Sequence, residues 1–163
     1  MNDFNALLQT VIAEAKAIRI PISDLIQPDI LVNRRAKKRF GQCILKNGVY
    51  TIELSERLCN APEKSCKQTI AHELIHTCKG CDNHGNLFMQ YADRMNRHYG
   101  YHIKRTNSCE EMGIPQEPAE KNVRYILLCR KCGIQIRRER YSAVVAYPSR
   151  YHCRCGGALE RIK

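Results

Sequence analysis

No apolar run in this 163-residue chain approaches the length needed to cross a bilayer, so a helical membrane span is excluded. The first residues also lack a basic stretch leading into an apolar segment and a small-residue cleavage site, so export is not expected. Internal repeats and low-complexity segments are absent too, and acidic groups are scarce. Sixteen Asp and Glu face 27 Lys and Arg, giving a net charge of +11. Ten cysteines would suggest a disulfide framework in a small secreted protein. Without an export signal, and with four of them in close pairs near the C-terminus, metal binding in a reducing cytoplasm is the expectation.

The excess charge is concentrated. From Lys121 onward the chain carries 11 basic and 2 acidic residues, against 16 and 14 in residues 1–120. A basic tail on a near-neutral body points to an anionic partner, with nucleic acid the leading choice. Arg137, Arg138 and Arg140 are its candidate phosphate contacts. A second basic run, Asn33 to Arg39, fits a solvated edge and a phosphate contact equally well.

What the chain does contain is His72-Glu73-Leu74-Ile75-His76. On a helix, positions i and i+4 share a face, so both imidazoles can meet one metal ion. Glu73 flanks the same point and can take a proton from water there, as in H-E-x-x-H hydrolases. Isolated, the pattern also suits ordinary helix histidines. The surroundings favour a site: Asn60, Pro62 and Glu63 predict a helix start, Ile70, Leu74 and Ile75 a buried stripe, and Gly80 a stop. A short return then reaches His84, the expected third ligand, leaving a fourth position open as catalysis requires.

Residues 3–19 are predicted as an amphipathic helix with Phe4, Leu7, Leu8, Val11, Ile12, Ala15 and Ile18 inward. Asn47-Gly48 between two apolar stretches predicts a hairpin. A further helix is expected over 85–99, with Phe88, Tyr91, Ala92 and Met95 in the core. The Gly- and Pro-containing segment 107–121 reads as a linker between a 1–106 domain and a 122–163 module. In that module Cys129 and Cys132 form a knuckle, and Cys153 and Cys155 are the expected partners, preferred over a set containing His152. Ile134–Ile136 and Ala143–Tyr147 are expected to pair as a hairpin, giving a zinc ribbon in which metal replaces a missing core. Cys78 and Cys81 suggest a redox pair or an extra ligand. A nucleobase deaminase is excluded, because it requires H-x-E and P-C-x-x-C.

These features together resemble the SprT-like metalloproteases: His72-Glu73-Leu74-Ile75-His76, then His84-Gly85 with Phe88, then Tyr151-His152-Cys153-Arg154-Cys155-Gly156-Gly157. Asn33-Arg34-Arg35 and Gly41 resemble that family's strand region. The resemblance implies an α+β fold, a small zincin-like domain (N-terminal helix, antiparallel hairpin, active-site helix, second helix) followed by a zinc ribbon. It implies a zinc endopeptidase with three histidine ligands, a glutamate base and a DNA-associated role.

The expected cofactors are therefore two Zn²⁺ ions, one catalytic and one structural. The expected partners are DNA and proteins bound to it, in the cytoplasm at the nucleoid, with no membrane. Tyr99 and Tyr101 are the available candidates for an oxyanion donor. The alternatives are a non-enzymatic zinc-containing DNA-binding or regulatory protein, and a small-peptide hydrolase indifferent to DNA.

Overall fold

The computed structural model describes residues 1–115 and 123–163, which form two compact units. The first is built on a helix buried on nearly every side. Helix α1 (Phe4–Ala17) begins where the Asp3 carboxylate accepts the backbone N–H groups of Asn5 and Ala6 at 3.1 Å. It turns Phe4, Leu8, Val11 and Ala15 inward, as their spacing requires. Strand β1 (Leu31–Asn33) follows, then β2 (Gly41–Lys46) and β3 (Val49–Ser55).

Asn47 and Gly48 join β2 to β3 with φ of 51° and 77°, the paired left-handed conformations of a two-residue hairpin turn. The strand order is β1-β3-β2, with β1 parallel to β3 and β2 antiparallel at the edge. The expected hairpin is present. The parallel β1 was not foreseen, since its three residues are largely exposed and carry no alternation.

Helix α2 (Glu63–Ile75) packs on α1, on the sheet and on α3 (Asn86–Tyr99). Its start differs from the expected cap. Asn60 ends a one-turn 3-10 helix, Ala61 is extended, and Pro62 stands at the N-cap with no side-chain hydrogen bond. Surrounded by other elements, α2 buries polar as well as apolar positions, and these are satisfied. The Gln68 amide meets the Met112 sulfur at 3.0 Å and accepts the His102 N–H at 3.2 Å. Glu14 of α1 bonds Lys67 of α2 and the Tyr101 hydroxyl, and the Tyr99 hydroxyl donates to the Glu14 carbonyl at 2.9 Å. Helix α3 ends at Gly100 as expected, with Phe88, Ala92 and Met95 buried.

The expected domain boundary at 106 lies too early. Met112 and Ile114 are buried in the first unit's core, so 107–115 belongs to that unit. Polar and turn residues around them disguise two apolar anchors. The rest of the expected linker, 116–121, lies outside the described residues.

The second unit holds β4 (Tyr125–Cys129), β5 (Gln135–Arg138) and β6 (Leu159–Arg161) in an antiparallel sheet, order β5-β4-β6. The expected strand over Ala143–Tyr147 is instead a single helical turn, α4 (Ala143–Ala146), followed by a 3-10 turn at Pro148. β5 takes β4 as its antiparallel partner instead, and Ala143–Tyr147 stays outside the sheet. The unit's buried apolar side chains are Leu127, Cys129, Val145 and Leu159.

No helix among the described residues is long and apolar enough to cross a membrane. Leu8 is fully buried where α1 meets the core. Leu8→Ala is therefore expected to lower the first unit's unfolding free energy by about 2–5 kcal/mol in urea titrations, with the m-value unchanged.

Candidate functional site

His72 and His76 project from one face of α2, and the chain returns through a Gly80 turn to bring His84 against them. The His84 Nε2 lies 2.9 Å from His72 Nε2 and 3.2 Å from His76 Nε2. Each histidine also packs on Phe88, with ring centroids 4.8–4.9 Å apart. Phe88, expected only as core, is thus the floor on which all three rings stand. Its spacing in α3 signalled burial but could not signal what it buries against.

The donor set fits a metal ion. His76 Nδ1 donates to the Cys81 carbonyl at 2.7 Å, which leaves the Nε2 lone pair facing the other two rings. Burial, with His76 and His84 beside it, pushes His72 down to about 3. Burial, His76 and Arg105 likewise lower His84. His72 and His84 are thereby held in the neutral form that binds a metal. Zn–N bonds of about 2.0–2.1 Å in tetrahedral geometry would separate neighbouring nitrogens by about 3.3 Å, close to the spacing found.

Glu73 is buried between α2 and β2, with 7% of its surface exposed. Burial pushes its carboxyl up to about 8, while the Cys43 backbone and the Arg39 guanidinium pull the other way. Arg39 is itself held at 2.8 Å by Glu53, which also accepts from Asn33 at 2.9 Å. Gly41, at the start of β2, lies flush against Glu73. Arg39, Gly41, Glu73 and the three histidines border a cleft of about 440 Å³ that also takes in Gln42 and Cys43 of β2.

Tyr99 and Tyr101 are not donors to this cleft. Their hydroxyls are committed to Glu14, away from the histidines. Cys78 and Cys81 are buried and stand outside the histidine group. Burial pushes the Cys78 thiol up to about 12 and raises Cys81 too. The contribution of Cys81 is its backbone carbonyl. Cys43, Cys59 and Cys109 are partly buried, Cys66 is fully buried, and His98 and His102 are exposed, as expected.

In the second unit Cys129, Cys132, Cys153 and Cys155 gather their sulfurs within 4.8 Å of one another. Cys129 and Cys155 sulfurs are 3.5 Å apart, and those of Cys132 and Cys153 are 3.7 Å apart. Four Zn–S bonds of about 2.3 Å would place sulfurs about 3.8 Å apart. Backbone N–H groups of Cys132 and Lys131 pull the Cys129 thiol down to about 6, toward the thiolate that binds metal. His152 pairs with Ala158 across a bridge and is not in the cluster. The short C-x-C spacing is accommodated at Gly157. A Cβ there would meet the Lys131 Cβ at 2.5 Å and the Cys129 sulfur at 2.6 Å. Arg137, Arg138 and Arg140 are exposed around one shallow depression with Glu139.

With this geometry in hand, comparison with known families is informative. Residues 21–107 match the SprT-like family, a span covering more than half the chain and all of His72, Glu73, His76 and His84. The chain belongs to the SprT-like family. Membership places it in a zinc-metalloprotease-type family, and the histidine triad lies inside the SprT-like span. Helix α1 and the cysteine cluster lie outside that span. A search of curated proteins found no match.

Metal content measured by plasma emission should reveal two zinc ions per wild-type chain. His84→Ala and Cys132→Ser should each retain one, and only Cys132→Ser should unfold the second unit, whose apolar core is too small to persist alone.

Proposed function

We propose that this chain is a zinc-dependent endopeptidase with a zincin-like catalytic unit and a zinc ribbon, acting on proteins associated with DNA. The observation that carries the reading is the placement of Glu73. It is buried beside a three-histidine cluster and opens onto a cleft bordered by the free edge of β2.

Zinc held by His72, His76 and His84 would supply a Lewis acid that polarises a peptide carbonyl and acidifies water. A cation at the histidines would favour the ionised form of Glu73 against the effect of burial. The carboxylate then takes the proton from the attacking water and passes it to the departing amine. The unpaired edge of β2, which opens at Gly41 beside the base, aligns an extended substrate through backbone hydrogen bonds. Phe88 and the Cys81 carbonyl hold the histidines in place throughout. Arg137, Arg138 and Arg140 contact phosphates and bring the enzyme to DNA-bound substrates. Ten cysteines without a disulfide fit a reducing cytoplasm, with the nucleoid as the site of action.

A purely structural first site would require a fourth side-chain ligand. Among the described residues the group consists of three histidines, and the nearby thiols of Cys78 and Cys81 are packed in the core. That favours the enzyme over a non-enzymatic DNA-binding protein.

Gly41 is the least replaceable residue around Glu73. A Cβ at that position would lie 2.8 Å from Glu73 Oε1 and 2.9 Å from its Cγ. A Cβ there would push the carboxylate from its buried position into the cleft. Gly41→Ala is expected to keep both zinc ions while kcat/KM falls about 100-fold, because the base is displaced. Glu73→Gln should keep its metal and lose about 10²–10⁴ in cleavage of a DNA-binding protein in the presence of DNA. Replacing Arg137, Arg138 and Arg140 by Ala should abolish stimulation by DNA while leaving peptide cleavage intact. Full activity of Glu73→Gln would remove this mechanism.

A further inference from the structure

The cleft carries a charge pattern that proton transfer does not use. Lys38 and Arg39 border it next to Gly41, and Lys104 and Arg105 border it as well. The carboxylates in the same cleft are Glu73 and the exposed Asp82. Two of the four cations are neutralised by the scaffold: Arg39 by Glu53 at 2.8 Å, and Lys104 by Glu111 at 2.6 Å. Lys38 and Arg105 are exposed and have no carboxylate partner among the described residues. Arg105 also stands near enough to His84 to act on it electrostatically.

A peptide added to the β2 edge gains backbone hydrogen bonds that carry no sequence information. Side-chain preference must then come from groups that line the cleft, where the two unpaired cations outnumber the one exposed carboxylate, Asp82. A cleft of about 440 Å³ receives a few side chains and is too small for a duplex. A metal ion at the histidines would make the interior still more positive.

We propose that Lys38 and Arg105 are specificity residues that select substrates bearing Asp or Glu beside the scissile bond. The inference rests on the peptidase reading and gives it a substrate class. It also agrees with action on DNA-bound proteins. Such a protein turns its basic face to the phosphates, leaving acidic segments as the accessible ones.

The test uses full-length, zinc-loaded Glu73→Gln protein and three fluorescent peptides, identical except for Asp/Glu, Asn/Gln or Lys at the central flanking residues. Anisotropy should rank them acidic, neutral, basic, with a step of about fivefold for each charge engaged. Lys38→Glu combined with Arg105→Glu should invert that order, and the corresponding Gln variants should flatten it. In otherwise wild-type enzyme the preference should appear in KM, with kcat nearly constant. Equal binding of the three peptides overturns the proposal. So does a single-stranded oligonucleotide that binds through Lys38 and Arg105 more tightly than the acidic peptide, which would make the rim a phosphate site. Cleavage of all three at equal kcat/KM sinks the charge selection and spares the peptidase. The expected binding order without any cleavage by wild type does the reverse.

Discussion

The His72 and His76 nitrogens lie within 3.2 Å of a third, His84 Nε2, an arrangement that costs free energy when no cation is bound. Lone pairs brought this close repel, and burial disfavours the protons that would separate them. The rest of the first unit can be understood as what holds that arrangement. Helix α2 supplies two rings one turn apart, and a return of eight residues from His76 supplies the third. The Cys81 carbonyl locks one tautomer. Phe88 closes the underside, with its ring against all three. A cation held by the three nitrogens would relieve that frustration by converting repulsions into bonds.

The two clusters stand in opposite thermodynamic relations to their surroundings. The first is held by a core that runs from Phe4 to Ile114, with Leu8, Ile52, Leu54, Ile70 and Leu74 essentially inaccessible. Such a scaffold keeps its shape whether or not the histidines are loaded, which a site with an open position demands. The second has four buried apolar side chains, one of them the ligand Cys129. There the sulfurs stand in for the core, and the glycine at 157 exists to let the chain pass close to them. Three donors on a rigid body and four on a small one would be complementary solutions to binding the same ion.

The chemistry-bearing residues were legible because their signals are local. H-E-x-x-H reports a helix face, Asn47-Gly48 reports a turn, and paired cysteines report a knuckle, each within a handful of positions. What stayed hidden depends on partners far along the chain. β1 is defined by pairing with β3, some twenty residues away, and its own three residues are nondescript. Met112 and Ile114 look like isolated apolar residues in a polar linker until α2 offers them a surface. Ala143–Ala146 is β-branched at its centre and yet helical, and the strand expected to pair with it, β5, pairs with β4 instead. The role of Phe88 was concealed in the same way. A buried aromatic on a helix gives no indication that its contact is a metal site.

One coupling ties the catalytic residue to the binding surface. Glu73 can be buried only because Gly41 has no side chain, and Gly41 opens the strand whose free edge faces the cleft. Helix and edge strand are thereby fixed at a separation of one missing methyl group. A substrate hydrogen-bonded along β2 would then be set in register with the base by the same close packing that holds the base. Adjusting one without the other would require a cavity or a clash, each costing on the order of 1–3 kcal/mol at a buried position. Position 41 therefore acts on two properties at once, the height of the carboxylate and the register of the peptide. Lys38, three residues before it, inherits that register. Under the proposed reading its distance from the scissile bond is set by the same glycine, so that charge selection and catalysis would share one geometric constraint.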